Sequence, residues 1–121
     1  MPRKLTTRRL LLMASMTLAP VLAVPLPAAG QDAAQVKKGQ DVYVAQKCSV
    51  CHAIAGKGNK TNPLDGVGKK LTADEIRQWI TNPTEMTAKT KSTKKPPMPA
   101  KYGGLAASEL DALVAYLASL K

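Results

Sequence analysis

The residue types and spacing that could do chemistry together are those of Cys48-Ser49-Val50-Cys51-His52, which uses both cysteines and the only histidine of the chain. In this spacing two thiols can add across the two vinyl groups of a haem. Each addition forms one S–C bond and passes the thiol proton to the other vinyl carbon. The adjoining imidazole is then delivered to the iron as an axial ligand. Competing chemistries fare worse. A structural zinc ion takes about four Cys or His ligands, and the chain holds two Cys and one His. A thioredoxin-like pair belongs beside a βαβ pattern, and no such run of strands can be read. A disulfide between Cys48 and Cys51 would close a very tight loop and leave His52 without a reason.

A haem carried for electron transfer commonly takes Met opposite His, because the thioether favours Fe(II) and raises the potential. Of the five methionines, Met1, Met13 and Met16 fall in an N-terminal segment that reads as a leader. Met98 and Met86 remain. Met98 stands between Pro97 and Pro99, which stiffen an extended backbone, and is far enough from His52 in sequence to wrap to the other haem face. Met98 is therefore the expected sixth ligand. Met86 follows soon after a helical segment and reads as a packing residue, with ligation as its alternative.

Three helical segments must position these groups. The first runs from about Ala34 into the motif near Cys51, with Val36, Gly39 or Gln40, and Tyr43 or Val44 on one stripe. Gly39 costs a helix about 1 kcal/mol against Ala, which makes sense where another helix crosses closely. The second opens with the capping box Thr72-Ala73-Asp74-Glu75, carries Ile76, Trp79 and Ile80 on one side, and stops at Asn82-Pro83. The third is expected to open at Ser108, with Glu109 and Asp111 in its first turn. Its stripe is Leu110, Leu113, Val114, Leu117 and Leu120. Between them, residues 55–70 contain four glycines and one proline, a composition of turns. Residues 87–101 are rich in Pro and Lys, and without a haem would be called a tether. No segment alternates like a strand, so the expected fold class is all-α.

Residues 1–30 read as a signal peptide: Arg3, Lys4, Arg8 and Arg9, then an apolar stretch from Leu10 to Val24, then small residues up to Gly30. The stretch falls short of the ~20 residues that span a bilayer and is interrupted by Pro20. The expectation is cleavage near Gly30–Gln31, no stable membrane span afterwards, and a periplasmic domain of residues 31–121. Haem attachment needs free thiols on an unfolded chain, which favours general secretion over the twin-arginine route suggested by Arg8-Arg9. The remaining domain is small for a side-chain core, with no Phe and one Trp. A buried haem would supply the missing apolar bulk. Residues 31–121 carry fourteen basic and eight acidic side chains, thirteen of the basic ones lysine. Nucleic acid is a poor explanation of this charge, since no recognition motif is present. A lysine-rich face that steers redox proteins with acidic docking surfaces explains it better.

With Cys48-Ser49-Val50-Cys51-His52, Asn62-Pro63-Leu64-Asp65-Gly66, Thr72 to Ile80, Pro97-Met98-Pro99 and the Leu110–Tyr116–Leu117 helix in this order, the chain resembles the class I monohaem cytochromes c over essentially all of residues 35–121. The resemblance implies one covalently attached haem c, His52 and Met98 as iron ligands, and one-electron transfer between redox partners, by a monomer or a subunit of a redox complex. It further implies that the Pro63 carbonyl accepts the hydrogen bond from His52 Nδ1–H, that Leu64 packs on the porphyrin, and that Gly39 and Tyr43 cross the last helix near Leu113, Tyr116 and Leu117. Four residues separate Tyr43 from Cys48, where many relatives have three, so Val44 competes for the aromatic's place. Trp79 resembles a tryptophan that bonds a haem propionate in some members, with plain core packing as its other reading. The chain is expected not to be an enzyme. A haem subunit of a sulfur-compound- or alcohol-oxidising complex is the alternative, and a haem peroxidase or gas-binding protein with an open iron position is a further one.

Overall fold

A computed structural model describes residues 32–121; the expected signal peptide and its cleavage point lie outside the described residues. The chain forms helices α1 (Ala33–Ala45), α2 (Val67–Lys70), α3 (Ala73–Thr81), α4 (Pro83–Thr90) and α5 (Ala107–Ser119). Short 3₁₀ turns lie at Cys48–Val50 and Ala100–Gly104. A two-residue hairpin pairs β1 (Ala53–Ile54) with β2 (Lys57–Gly58). Helices dominate, as the absence of alternating segments predicts. None of those described is long and apolar enough to cross a membrane.

The crossing of α1 and α5 is the largest interface between elements, and Gly39 is what allows it. A Cβ there would overlap the Ala112 carbonyl and lie 2.6 Å from Tyr116 Cβ. One turn on, the Tyr43 ring meets Tyr116 edge-to-face with centroids 5.9 Å apart, a geometry that aromatic quadrupoles favour. The competition between Tyr43 and Val44 is thereby decided. Tyr43 is buried and Val44 is 68 % exposed, because the extra residue before Cys48 is absorbed after the helix, where Lys47 turns left-handed at φ 55°.

α3 starts as its sequence dictates. Thr72 Oγ1 accepts from the Glu75 backbone N–H at 3.2 Å, and Glu75 Oε2 accepts from the Thr72 N–H at 2.8 Å. These bonds hold the Glu75 carboxyl below its ordinary range. Ile76 and Ile80 are buried and pack with Leu113, Val114 and Leu117 of α5.

Four expectations about elements need correcting. α1 stops at Ala45 instead of running into the motif near Cys51, because Lys47 turns left-handed before the separate 3₁₀ turn at Cys48–Val50. Pro83 ends α3 but also begins α4, because a helix's first position has no intrahelical use for an N–H; residues 87–90, counted with the Pro- and Lys-rich linker, are helical. α5 begins at Ala107 rather than Ser108, behind Ala106, with no side-chain cap. The stretch 55–70 holds α2, too short to show a period. Its turns do use glycine: Gly56, Gly58 and Gly66 have φ of 75°, 101° and 70°, which side-chain-bearing residues rarely adopt.

Candidate functional site

The side chains of the core do not close on one another. They line a cavity of about 810 Å³, within the ~300–1,000 Å³ of ligand sites and open on one side. Its floor is apolar: Leu71, Ile76, Ile80, Leu113 and Leu117. Leu64 and Trp79, both partly buried, add to it. A domain that buries its best hydrophobic residues around an opening of this size is built for a large apolar occupant.

Cys48, Cys51 and His52 all line that cavity. The 3₁₀ turn over Cys48–Val50 gathers them: the Cys51 and His52 N–H groups both donate to the Cys48 carbonyl, at 3.2 and 3.0 Å. From behind, the hairpin braces this turn. The Asn59 N–H is shared between the Ser49 and His52 carbonyls at 3.0 and 3.1 Å, and Gly58 lies so close to both carbonyls that a side chain there would collide with His52 O. Both cysteines are free thiols. Burial pushes the Cys48 thiol up against the opposing pull of nearby groups that include Lys101, so its sulfur is held neutral. The Tyr43 phenol, directed at the His52 carbonyl at 3.4 Å, is pushed up to about 12, first by burial and then by Cys48 and Tyr116.

His52 Nδ1 lies 3.0 Å from the Asn62 carbonyl. With the proton on Nδ1, the ring donates to that oxygen and keeps the Nε2 lone pair for a metal. The acceptor expected here was the Pro63 carbonyl. A parallel bridge pairs Ala53 with Pro63: Ala53 N–H points to Asn62 O at 3.4 Å and Leu64 N–H to Ala53 O at 2.8 Å. That register turns the carbonyl of residue 62, not of 63, toward the imidazole. Pro63 lines the cavity instead.

Met98 lines the cavity with Pro97 and Pro99, whereas Met86 is 4 % exposed and does not. Sequence reasoning missed the wall that α4 contributes, Thr87 and Thr90, because the helix itself was not seen. The charge of the lining is one-sided: Lys47, Lys70, Lys94 and Lys101 take part, and neither Asp nor Glu does.

The donor set fits a c-type haem. Two free thiols and an imidazole with one nitrogen spoken for share one wall, over an apolar floor of the right scale. Among the described residues, by contrast, no group of three or more His, Cys, Asp or Glu could hold a metal ion alone. Comparison with known proteins agrees. Neither the curated proteins nor the solved structures offer a match, but the family model for cytochrome c matches residues 36–121. That span takes in α1, the thiol–imidazole turn, the cavity and α5, and on it the chain belongs to the cytochrome c family, with the haem-based electron transfer that membership implies.

Proposed function

We propose that this chain is a one-electron carrier of the periplasm, with haem c joined to Cys48 and Cys51 by thioether bonds and its iron held between His52 and Met98. The observation that carries this reading is that all four side chains border one cavity while the other methionine of residues 32–121, Met86, packs outside it. The bound haem supplies an Fe(III)/Fe(II) couple.

The chain supplies the conditions under which that couple works. The His52 ring is oriented by a backbone oxygen, so its Nε2 needs no rearrangement to serve as ligand. The Met98 thioether would complete the iron's ligand set and so keep water and small molecules from it. Leu71, Ile76, Ile80, Leu113 and Leu117 keep the surroundings dry. Lys47, Lys94 and Lys101 at the cavity's border set up a positive field that attracts a redox protein with an acidic docking surface, giving fast, weak encounters that slow as salt screens the charges. The chain's one histidine is the proposed iron ligand and no carboxylate lines the cavity, so the lining offers neither a second imidazole nor a carboxylate as acid–base group for peroxide cleavage, which favours a carrier over an enzyme.

The test is spectroscopic. The haem stays with the polypeptide through acid–acetone extraction, and the ferric protein shows the weak far-red band of Met-to-iron ligation. Met98→Ala abolishes the band, lowers the potential and lets carbon monoxide bind the ferrous iron; Met86→Ala does none of these. Ready binding of carbon monoxide by the wild-type ferrous protein at neutral pH would overturn the Met98 assignment.

A further inference from the structure

One segment lines the cavity along its whole length: residues 62–71 contribute Asn62, Pro63, Leu64, Val67, Lys70 and Leu71. Its first half is fastened beside the imidazole. The Asn62 carbonyl faces His52 Nδ1 at 3.0 Å, and the Leu64 N–H donates to the Ala53 carbonyl at 2.8 Å. At Gly66 the backbone turns left-handed, with φ 70°, and only the four residues of α2 follow. A helix of one turn does not hold itself together in water. The second half of this wall therefore needs a fastening of its own.

That fastening is Gly68. Its N–H donates to the Leu120 carbonyl at 2.9 Å, and its own carbonyl accepts from Lys121 Nζ at 2.6 Å. Both groups are of the kind that a short helix leaves without an intrahelical partner. The approach is as close as the one at Gly39. A Cβ on Gly68 would overlap the Ala118 carbonyl oxygen and lie 3.0 Å from Ala118 Cα, and Ala118 is buried in the core. Val67, Leu71 and Leu120 are packed against the same core. The clasp thus ties the helix that carries Val67 and Lys70, with Leu71 just beyond it, to the helix that carries Leu113 and Leu117, and all five line one cavity. Gly68, Leu120 and Lys121 do not line it, so whatever they do for the site they do through Val67 and Leu71.

We propose that the clasp of Gly68 with Leu120 and Lys121 is a positioning device for the redox site: it holds α2 against the end of α5, keeps water from entering past Val67 and Leu71, and so helps to set the potential. This rests on the covalent-haem reading above. The physical link is solvation. Fe(III) carries one more positive charge than Fe(II), so water admitted beside the haem stabilises the ferric form and lowers the potential. Gly68 and Lys121 are positioning residues in this scheme, acting on the dryness of the wall and not on either ligand.

The experiment combines a redox titration of the holoprotein at neutral pH with backbone amide exchange followed by NMR, for wild type, Gly68→Ala, Lys121→Met and, as a control, Met86→Ala. A haemochrome spectrum is recorded first on each. A wild type without c-type haem defeats the parent reading, and a haem-loaded wild type whose Gly68 amide exchanges freely defeats the clasp. With haem bound, the Gly68 N–H is expected to be protected. Gly68→Ala, whose methyl meets backbone, should shift the potential lower and lose protection at Leu71, whose N–H is bonded to the Val67 carbonyl. Lys121→Met, which removes one exposed donor and leaves the fold intact, should do both to a smaller extent. The far-red band of Met-to-iron ligation should persist in each, which separates a wetter wall from a lost ligand. Met86→Ala removes buried contacts outside the cavity and should leave the potential at the wild-type value. Potentials of Gly68→Ala and Lys121→Met equal to wild type, or a Met86→Ala shift as large as theirs, would overturn the proposal and leave the clasp a packing contact.

Discussion

The α1–α5 crossing and the cavity wall opposite it are built from the same kinds of residue and obey different rules. At the crossing, Gly39, Tyr43, Ala112 and Tyr116 fill the space between two backbones, and each contact is with protein. Around the cavity, Ile76, Ile80, Leu113 and Leu117 turn equally apolar surface toward space that no side chain occupies. The first region is complete as a polypeptide; the second becomes a core only with its cofactor. The cavity is open on one side, so without an occupant water wets its apolar lining, at a cost of roughly 25 cal/mol for each Å² left uncovered. A domain held together by only ~5–15 kcal/mol has little to spare for that.

The sharpest way to break the contrast is to remove the tether. The Cys48→Ala, Cys51→Ala double variant should accumulate without covalent haem and lack a cooperative thermal transition, because nothing then fills the second region. Circular dichroism of the purified chain checks this, and a haem-free chain that still melts cooperatively would show the cavity to be self-supporting. Met86→Ala comes next. Its side chain is buried in protein rather than against the cavity, so the loss should be the ~2–5 kcal/mol of a truncated core methionine, read from denaturant midpoints of the holoprotein, with the spectrum unchanged. Gly39→Ala tests the first region directly. The new methyl meets the Ala112 backbone, which cannot give way as a flexible side chain would. The expected cost is roughly 1–3 kcal/mol, after exceeding the ~1 kcal/mol by which Ala favours a helix.

Thr72→Ala probes the smallest effect, the cap of α3. It should cost ~1 kcal/mol at neutral pH. Because the cap holds the Glu75 pKa below its unfolded value, the carboxylate's part of that stability is present above the unfolded pKa. It is lost as pH falls through the folded one. The gap between variant and wild type should therefore narrow on acidification below the carboxylate range, in thermal melts across pH.

The two regions also differ in how far they could be read before folding. Gly39, the α5 stripe and the Thr72–Glu75 box act through fixed helical offsets, so their contacts follow from spacing. The thiol–imidazole turn is legible for a related reason: the spacing of Cys48, Cys51 and His52 is one that matches the two vinyl groups and the iron of a haem. Other parts depend on geometry that no local pattern encodes. Pro83 is compatible with either end of a helix, and only packing, which buries it fully, shows that it serves both. The four residues of α2 are too few for a period. Whether residue 62 or 63 offers its carbonyl to His52 depends on the register of a bridge between segments ten positions apart, in which the side chains take no part.

That last feature sets which changes in the gene the site can absorb. The His52 ring is aimed by a main-chain oxygen, which every amino acid possesses, so the identity of residue 62 is nearly free. The count of residues between His52 and that oxygen is not: inserting or deleting one position in 59–62 would present the imidazole with an amide hydrogen or with nothing. The orientation of the imidazole is thus written in loop length. Substitution should leave it intact, and the smallest insertion or deletion should erase it.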